Sequence, residues 1–401
     1  MRILIISGFL ESSVKTGVSK GNIQGVSRSI INIIECLKDI KNLQIKIISQ
    51  KFRNKALISV NLDSYMLIPR IIVNISKFKP DLIITQARAA FPSIIVSKIK
   101  KIPIIQIVRA TADFCPKFVN VIEYGKACPS INNRKQCFNC INKWRTLRIL
   151  TGNKPKGTEY SIRTSLVNIL YRIRYFICSF NTYLMNKANT ILVSSEIMRK
   201  FFSYKINENK LKIMNITPIR EYINKPINKK KQLIFIRTYY DASHKGLDFI
   251  LRLSKFIPNN YRILIVGGCK EDWRGEELDN ITNFEFISSK IELNKMFAES
   301  IATLVPTFCT EAFGRIIPES LSNKTPVISS PQCGANQFFE NKGFLKAVPL
   351  KLKLWKKTIE DMISNPPIIT DDDVSHFYEQ ISLDKSKKDF IKIIKKVLIN
   401  G

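Results

Sequence analysis

The feature that most constrains this chain is an alternation, kept up over most of its length, between short apolar runs and longer stretches with helical spacing. Residues 3–7 form a compact apolar run. After a loop carrying Gly8, Gly17, Gly21 and Gly25, the stretch 26–37 places Ile30, Ile33, Ile34 and Leu37 at the intervals of one helix face. Further β-rich runs stand at 45–48, 82–85, 104–108 and 191–193, the last followed by Ser194, Ser195 and Glu196, a helix-capping sequence. Strands separated by helices pair in parallel and are covered on both faces, so the fold class is α/β with doubly wound sheets.

The alternation breaks once. Residues 224–232 are polar and basic, with Pro226 and three consecutive lysines, and they read as a linker. A second series follows at 233–236, 262–266, 284–287, 301–305 and 327–329. Two Rossmann-like domains facing a cleft are the natural architecture, with ligands beyond the carboxyl ends of the strands. The expected boundaries are 1–223 for the first domain, with a cysteine-bearing insertion near 115–160, 224–232 for the linker and 233–380 for the second domain. Residues 381–401 form a terminal helix.

Charge divides the chain at nearly the same place. The formal net charge is +32, and the Lys and Arg excess up to Arg220 is +27, leaving +5 for the remainder. A compositional bias alone would affect both halves. The asymmetry points to an anionic partner for the first half, a membrane surface or a nucleic acid. No recognisable nucleic-acid module or aromatic platform accompanies the charge, so nucleic acid is not expected. No apolar run is long and uncharged enough to span a bilayer, since the best, 166–185, contains Arg172 and Arg174. The first residues read as a strand, not a signal peptide. The expected location is cytoplasmic, with a peripheral position at the membrane face as an option. Leu166, Ile169, Leu170, Ile173, Phe176 and Ile177 fall near one face of the 166–185 stretch. That face fits either a core helix with a solvated basic edge or a surface for anionic lipid.

The segment 306–320 carries the densest chemistry. Glu311 and Glu319 flank Phe313-Gly314-Arg315 just after the apolar run 301–305. Strand, glycine turn and helix start in that order let the backbone approach an anion, and the two carboxylates are placed to accept hydrogen bonds from hydroxyls. Phosphate and hydroxyls together suit a nucleotide sugar. This segment resembles the donor-site motif of retaining glycosyltransferases of the GT-B fold, above all glycosyltransferase family 4. The segment from Arg237 to Lys245-Gly246 resembles the same family's cation pair, which clamps the donor diphosphate. Two cations facing a leaving group whose negative charge grows stabilise the transition state more than the ground state. The resemblance therefore implies Arg237, Lys245 and Glu311 as catalytic residues. It implies Gly25, Gly267, Phe313, Gly314, Arg315 and Glu319 as donor-binding residues. It further implies a UDP- or GDP-sugar as donor, a glycan or lipid-linked acceptor, no catalytic metal, and a terminal helix that crosses back onto the first domain.

One departure stands out. Family members often carry a His after the fourth strand of the first domain, where this chain has Val108-Arg109 and then Asp113. Its only histidines are His244 and His376, which lie elsewhere. Cys115, Cys128, Cys137 and Cys140 resemble the cysteine-bearing insertion of a subset of the family. Their spacing ends in C-x-x-C and allows a structural zinc, and disulfides or free thiols also fit it. Besides a glycosyltransferase, the scaffold suits a nucleotide-sugar epimerase, and the charge alone would suit a nucleic-acid-binding protein.

Overall fold

The computed structural model describes residues 1–7, 25–49, 64–117, 121–123, 126–129, 131–141, 159–214, 228–237, 245–267, 278–339 and 343–400. Gly8, Gly17, Gly21, Gly268 and the first half of the 224–232 segment lie outside them. The chain divides into two units: Met1–Glu123, Cys128–Thr217 and Leu383–Gly401 in the first, Tyr124–Ala127 and Pro218–Ser382 in the second.

The first unit is built on β1 (Arg2–Ser7), α1 (Gly25–Leu37), β2 (Gln44–Ser49), α2 (Ile68–Phe78), β3 (Leu82–Gln86), α3 (Ala90–Lys100) and β4 (Ile104–Ile107). It continues with α4 (Glu159–Met185), β5 (Thr190–Val193), α5 (Glu196–Ser203) and β6 (Leu211–Ile213). The six strands form one parallel sheet in the order β2-β1-β3-β4-β5-β6. Ile3 to Ile6 of β1 are all fully buried, the continuous apolar run of a strand covered on both faces. Ile30, Ile33 and Leu37 of α1 pack on Ile3, Ile5, Leu82 and Ile105 of the sheet. Phe390, Ile394 and Val397 of the last helix join the same cluster, so the end of the chain completes this core.

The second unit contains β7 (Gln232–Ile236), α6 (Leu247–Ser254), β8 (Arg262–Val266), β9 (Ile281–Phe284), α7 (Lys290–Glu299), β10 (Ala302–Val305) and α8 (Ile316–Ser322). After these come β11 (Val327–Ser329), β12 (Leu345–Ala347), α9 (Leu352–Ser364) and α10 (Asp371–Ile381), before α11 (Leu383–Asn400) returns to the first unit. Its sheet is again six-stranded and parallel, in the order β9-β8-β7-β10-β11-β12. The strand expected at 284–287 runs instead from Ile281 to Phe284. Its register against β8 pairs Ile281 with Ile263 and Phe284 with Val266, and β8 itself ends there. Pairing, not local hydrophobicity, sets the strand. Trp355 of α9 is fully buried against Phe249 of α6, its indole N–H donating to the Val348 carbonyl at 3.2 Å.

Candidate functional site

The carboxyl ends of β7, β8 and β10 in the second unit carry most of the residues singled out above. Arg237 follows β7 directly. Its backbone N–H donates to the Val266 carbonyl at 2.8 Å and its side-chain Nε to the Gly267 carbonyl at 2.7 Å. This ties the turn after β7 to the turn after β8, and Arg237 is 6% exposed. Gly267 has φ +102°, and a Cβ there would stand 2.2 Å from the Arg237 carbonyl oxygen. Gly246, φ +90°, is as tightly placed, with a Cβ falling 2.1 Å from the Pro306 oxygen. Both positions therefore demand glycine on two grounds, conformation and space.

Lys245 precedes the second of these glycines. Its ammonium forms an ion pair with the Glu311 carboxylate, and the two side chains are 22% and 24% exposed. Burial, the largest single influence, pulls the Lys245 pKa down, but the Glu311 charge and hydrogen bond, with Cys309 and Cys333 adding, together raise it by more, so the net direction is upward and the cation persists. Glu311 is held by its backbone: its N–H donates to Gln332 O and its carbonyl accepts from Gly334 N–H, both at 3.0 Å. Gly314, φ +83°, turns the chain into α8, and Arg315 at the start of that helix donates to Glu319 at 2.7 Å. The spacing i,i+4 puts these two side chains on one helix face. Cys309 and Cys333 lie beside Glu311. Burial raises both thiols, with the Glu311 charge adding, so they are neutral walls rather than nucleophiles.

The structure thus brings together Lys245 with Glu311, Arg315 with Glu319, and Arg237 with Gly267. Phe313 departs from expectation. Its ring is 4% exposed and packs against Phe338 with centroids 5.6 Å apart, because its apolar area is worth more in the core. Only its backbone is left to meet a ligand, and its carbonyl already accepts from Ala335 N–H at 2.6 Å. Gly25 opens α1 in the other unit. The sequence reading missed both cation–carboxylate pairs. The i,i+4 spacing of Arg315 and Glu319 signals one of them, and nothing in the sequence signals a pair 66 positions apart.

In the first unit, Arg88 after β3 pairs with Asp113 at 3.2 Å. Asp113, one of the two residues standing where the family often has its His, is therefore engaged by a cation. The four clustered cysteines do come together. Cys115, Cys128, Cys137 and Cys140 line one cavity of about 20 Å³, with Lys117 and Gln136. All four are free thiols. The expected zinc arrangement is not met: among the described residues no three His, Cys, Asp or Glu side chains are placed to hold a metal ion. The reason lies in their partners. Cys140 Sγ points to the Val121 carbonyl at 3.7 Å, and Cys128 Sγ takes the Gln136 amide at 3.7 Å. Burial pushes the Cys137 thiol up to about 12, with Cys115, Cys128 and Cys140 adding.

Residues 219–381, nearly all of the second unit, match the family of glycosyl transferases group 1 and form a domain of that kind. The whole chain superposes on solved glycosyltransferase structures. Sucrose-phosphate synthase from Thermosynechococcus elongatus is 11% identical, covers 100% of both chains and gives a TM-score of 0.67. HepE from Anabaena, solved with UDP and glucose, is 13% identical over 99% of this chain and 100% of its own, TM-score 0.62. The lipopolysaccharide outer core galactosyltransferase WaaB is 12% identical over 99% of both chains, TM-score 0.62. At such identities these likenesses establish the fold, GT-B, with two Rossmann-like halves. No curated protein matches the sequence.

Proposed function

We propose that this protein is a retaining glycosyltransferase, of family 4 type, that moves a sugar from a nucleotide-sugar donor to a glycan or lipid-linked acceptor. The observation that carries the proposal is the Lys245–Glu311 pair, seated between the glycine turns at Gly246 and Gly314 in a group 1 domain. In the reaction the bond between the sugar and the donor diphosphate breaks, and negative charge gathers on the departing phosphate. Lys245 exchanges its carboxylate partner for that phosphate and stabilises the charge where it develops. Glu311, released, accepts hydrogen bonds from the sugar hydroxyls. Arg237, already fixed by its bond to the Gly267 carbonyl, supplies the second cation. Glu319, held by Arg315, meets the donor ribose. These cations take the part that a metal plays elsewhere, so turnover persists in chelator. UDP is the first base to try, since HepE was solved with it. The acceptor side falls to the basic first unit, whose charge fits a lipid-linked acceptor at an anionic surface.

A panel of nucleotide sugars, read by thermal stabilisation and by slow hydrolysis, tests the proposal. One donor stabilises the protein, and Lys245→Ala lowers turnover with it by about 10²–10³-fold while the fold is kept. Stabilisation by none of them, together with a salt-sensitive gel shift on RNA or DNA, overturns the proposal in favour of nucleic-acid binding.

A further inference from the structure

The helix α4 carries apolar residues on both sides, with Tyr175, Leu184 and Met185 buried in the unit. Arg174, Cys178, Asn181 and Thr182 point into the protein, each 5% exposed or less. On the other side Ile169, Ile173, Phe176, Phe180 and Tyr183 are 45% to 59% exposed. At 3.6 residues per turn the two sets fall on opposite faces, and the apolar set makes a stripe about 21 Å long. A helix packed on a globular core normally faces such a stripe inward and leaves the cations outside. Here the apolar stripe faces out and an arginine faces in.

The rest of the exposed face is cationic. From Ile169 to Lys187 the only other exposed described side chains are Arg172 and Lys187. The Lys187 ammonium sits 4.9 Å from the Tyr183 ring centroid. The Arg172 guanidinium lies 5.7 Å from the ring of Phe138, which packs through Tyr175 towards Phe176. Between Glu159 and Glu196 the sequence has no acidic residue. Contiguous exposed apolar surface marks a contact site, and the charge around it selects the partner. A second copy of this chain would set one cationic face against another. A membrane surface with anionic headgroups complements both parts, its acyl boundary taking the stripe and its phosphates taking Arg172 and Lys187. Among the described residues no helix is long and apolar enough to cross a membrane, so the helix lies along the surface.

We infer that the exposed face of α4 is the docking surface by which this protein binds an anionic lipid bilayer. The inference rests on the anionic-surface reading of the first unit and not on the transfer reaction.

The test is cosedimentation with phosphatidylcholine vesicles, with and without phosphatidylglycerol, alongside calorimetry with UDP. The wild type binds the mixed vesicles and is released by salt. Phe176→Ser with Phe180→Ser lowers its partition by about tenfold or more, leaves the melting temperature unchanged, and leaves UDP binding as it was. As a second reading, Tyr183→Trp gains emission that brominated acyl chains quench, above the signal of the three native tryptophans. Unchanged partition of the serine variant overturns the inference and leaves diffuse charge as the cause of binding. A variant that turns a dimer into a monomer without affecting vesicle binding overturns it in favour of self-association. Vesicle binding by a wild type that none of the panel of nucleotide sugars stabilises keeps the docking surface and removes the glycosyltransferase reading instead.

Discussion

The two units share a scaffold and use it differently. Each is a six-stranded parallel sheet. In the second, the candidate site sits on backbone turns at the strand ends, locked by Gly246, Gly267 and Gly314, each at positive φ. Two of the cations there, Lys245 and Arg315, are already matched by carboxylates. In the first, the distinctive groups are side chains on a helix face and in a cysteine cluster. Most of the net charge lies there, in excess of any acidic partner. A site that must hold one ligand in one geometry needs fixed backbone. A surface that must meet a partner without fixed shape needs only the right side chains facing out.

Breaking a turn should therefore cost far more than altering the surface. Gly267→Ala places a methyl against the Arg237 carbonyl in a backbone conformation that alanine resists. It should destabilise the protein by on the order of 3–4 kcal/mol and displace Arg237, as urea unfolding and turnover would report. Gly343→Ala, with nothing within 4 Å of the added carbon, is the control and should be close to neutral. Equal effects of the two would remove the backbone half of the comparison.

A smaller effect separates the two glutamates. Glu319→Ala should weaken nucleotide binding by about 1–3 kcal/mol, the loss of a hydrogen bond to a charged group, in calorimetry. Glu311→Ala should depress turnover more than nucleotide affinity, since it strips Lys245 of its resting partner and the sugar of its acceptor. The reverse pattern would exchange their roles.

The effect that is smallest near neutral pH concerns the first unit. The Cys137 thiol is raised in the folded state, so its contribution to stability is complete below the ordinary thiol range of about 8.5. It is lost as pH climbs through the folded value of about 12. Stability should fall gently with pH in that window, and Cys137→Ala should flatten the fall. A profile identical in wild type and variant would show that the cluster is not coupled to folding.

The fold class was legible because parallel strands bury both faces and so appear as bare apolar runs, such as the run that became β1. Edges were less so, as β9 shows: the partner's register moved it three residues. In the candidate site, the identities of Arg237, Lys245, Glu311 and Glu319 stood out by motif. Their pairing did not, because Lys245 and Glu311 are distant in sequence and meet only when β7 and β10 lie side by side.

By itself the sequence determined the two parallel sheets, the change of charge between the halves, and the glycines that its turns require. These follow from local sterics, periodicity and composition, which each short stretch carries with it. Only the tertiary structure decided what faces what. It sent Phe313 into the core, drew four cysteines to one cavity without metal-ligand geometry, and buried Arg174 while exposing Phe176 and Phe180. Periodicity shows that a helix has an apolar face. Which face turns inward depends on what the rest of the chain offers to pack against it.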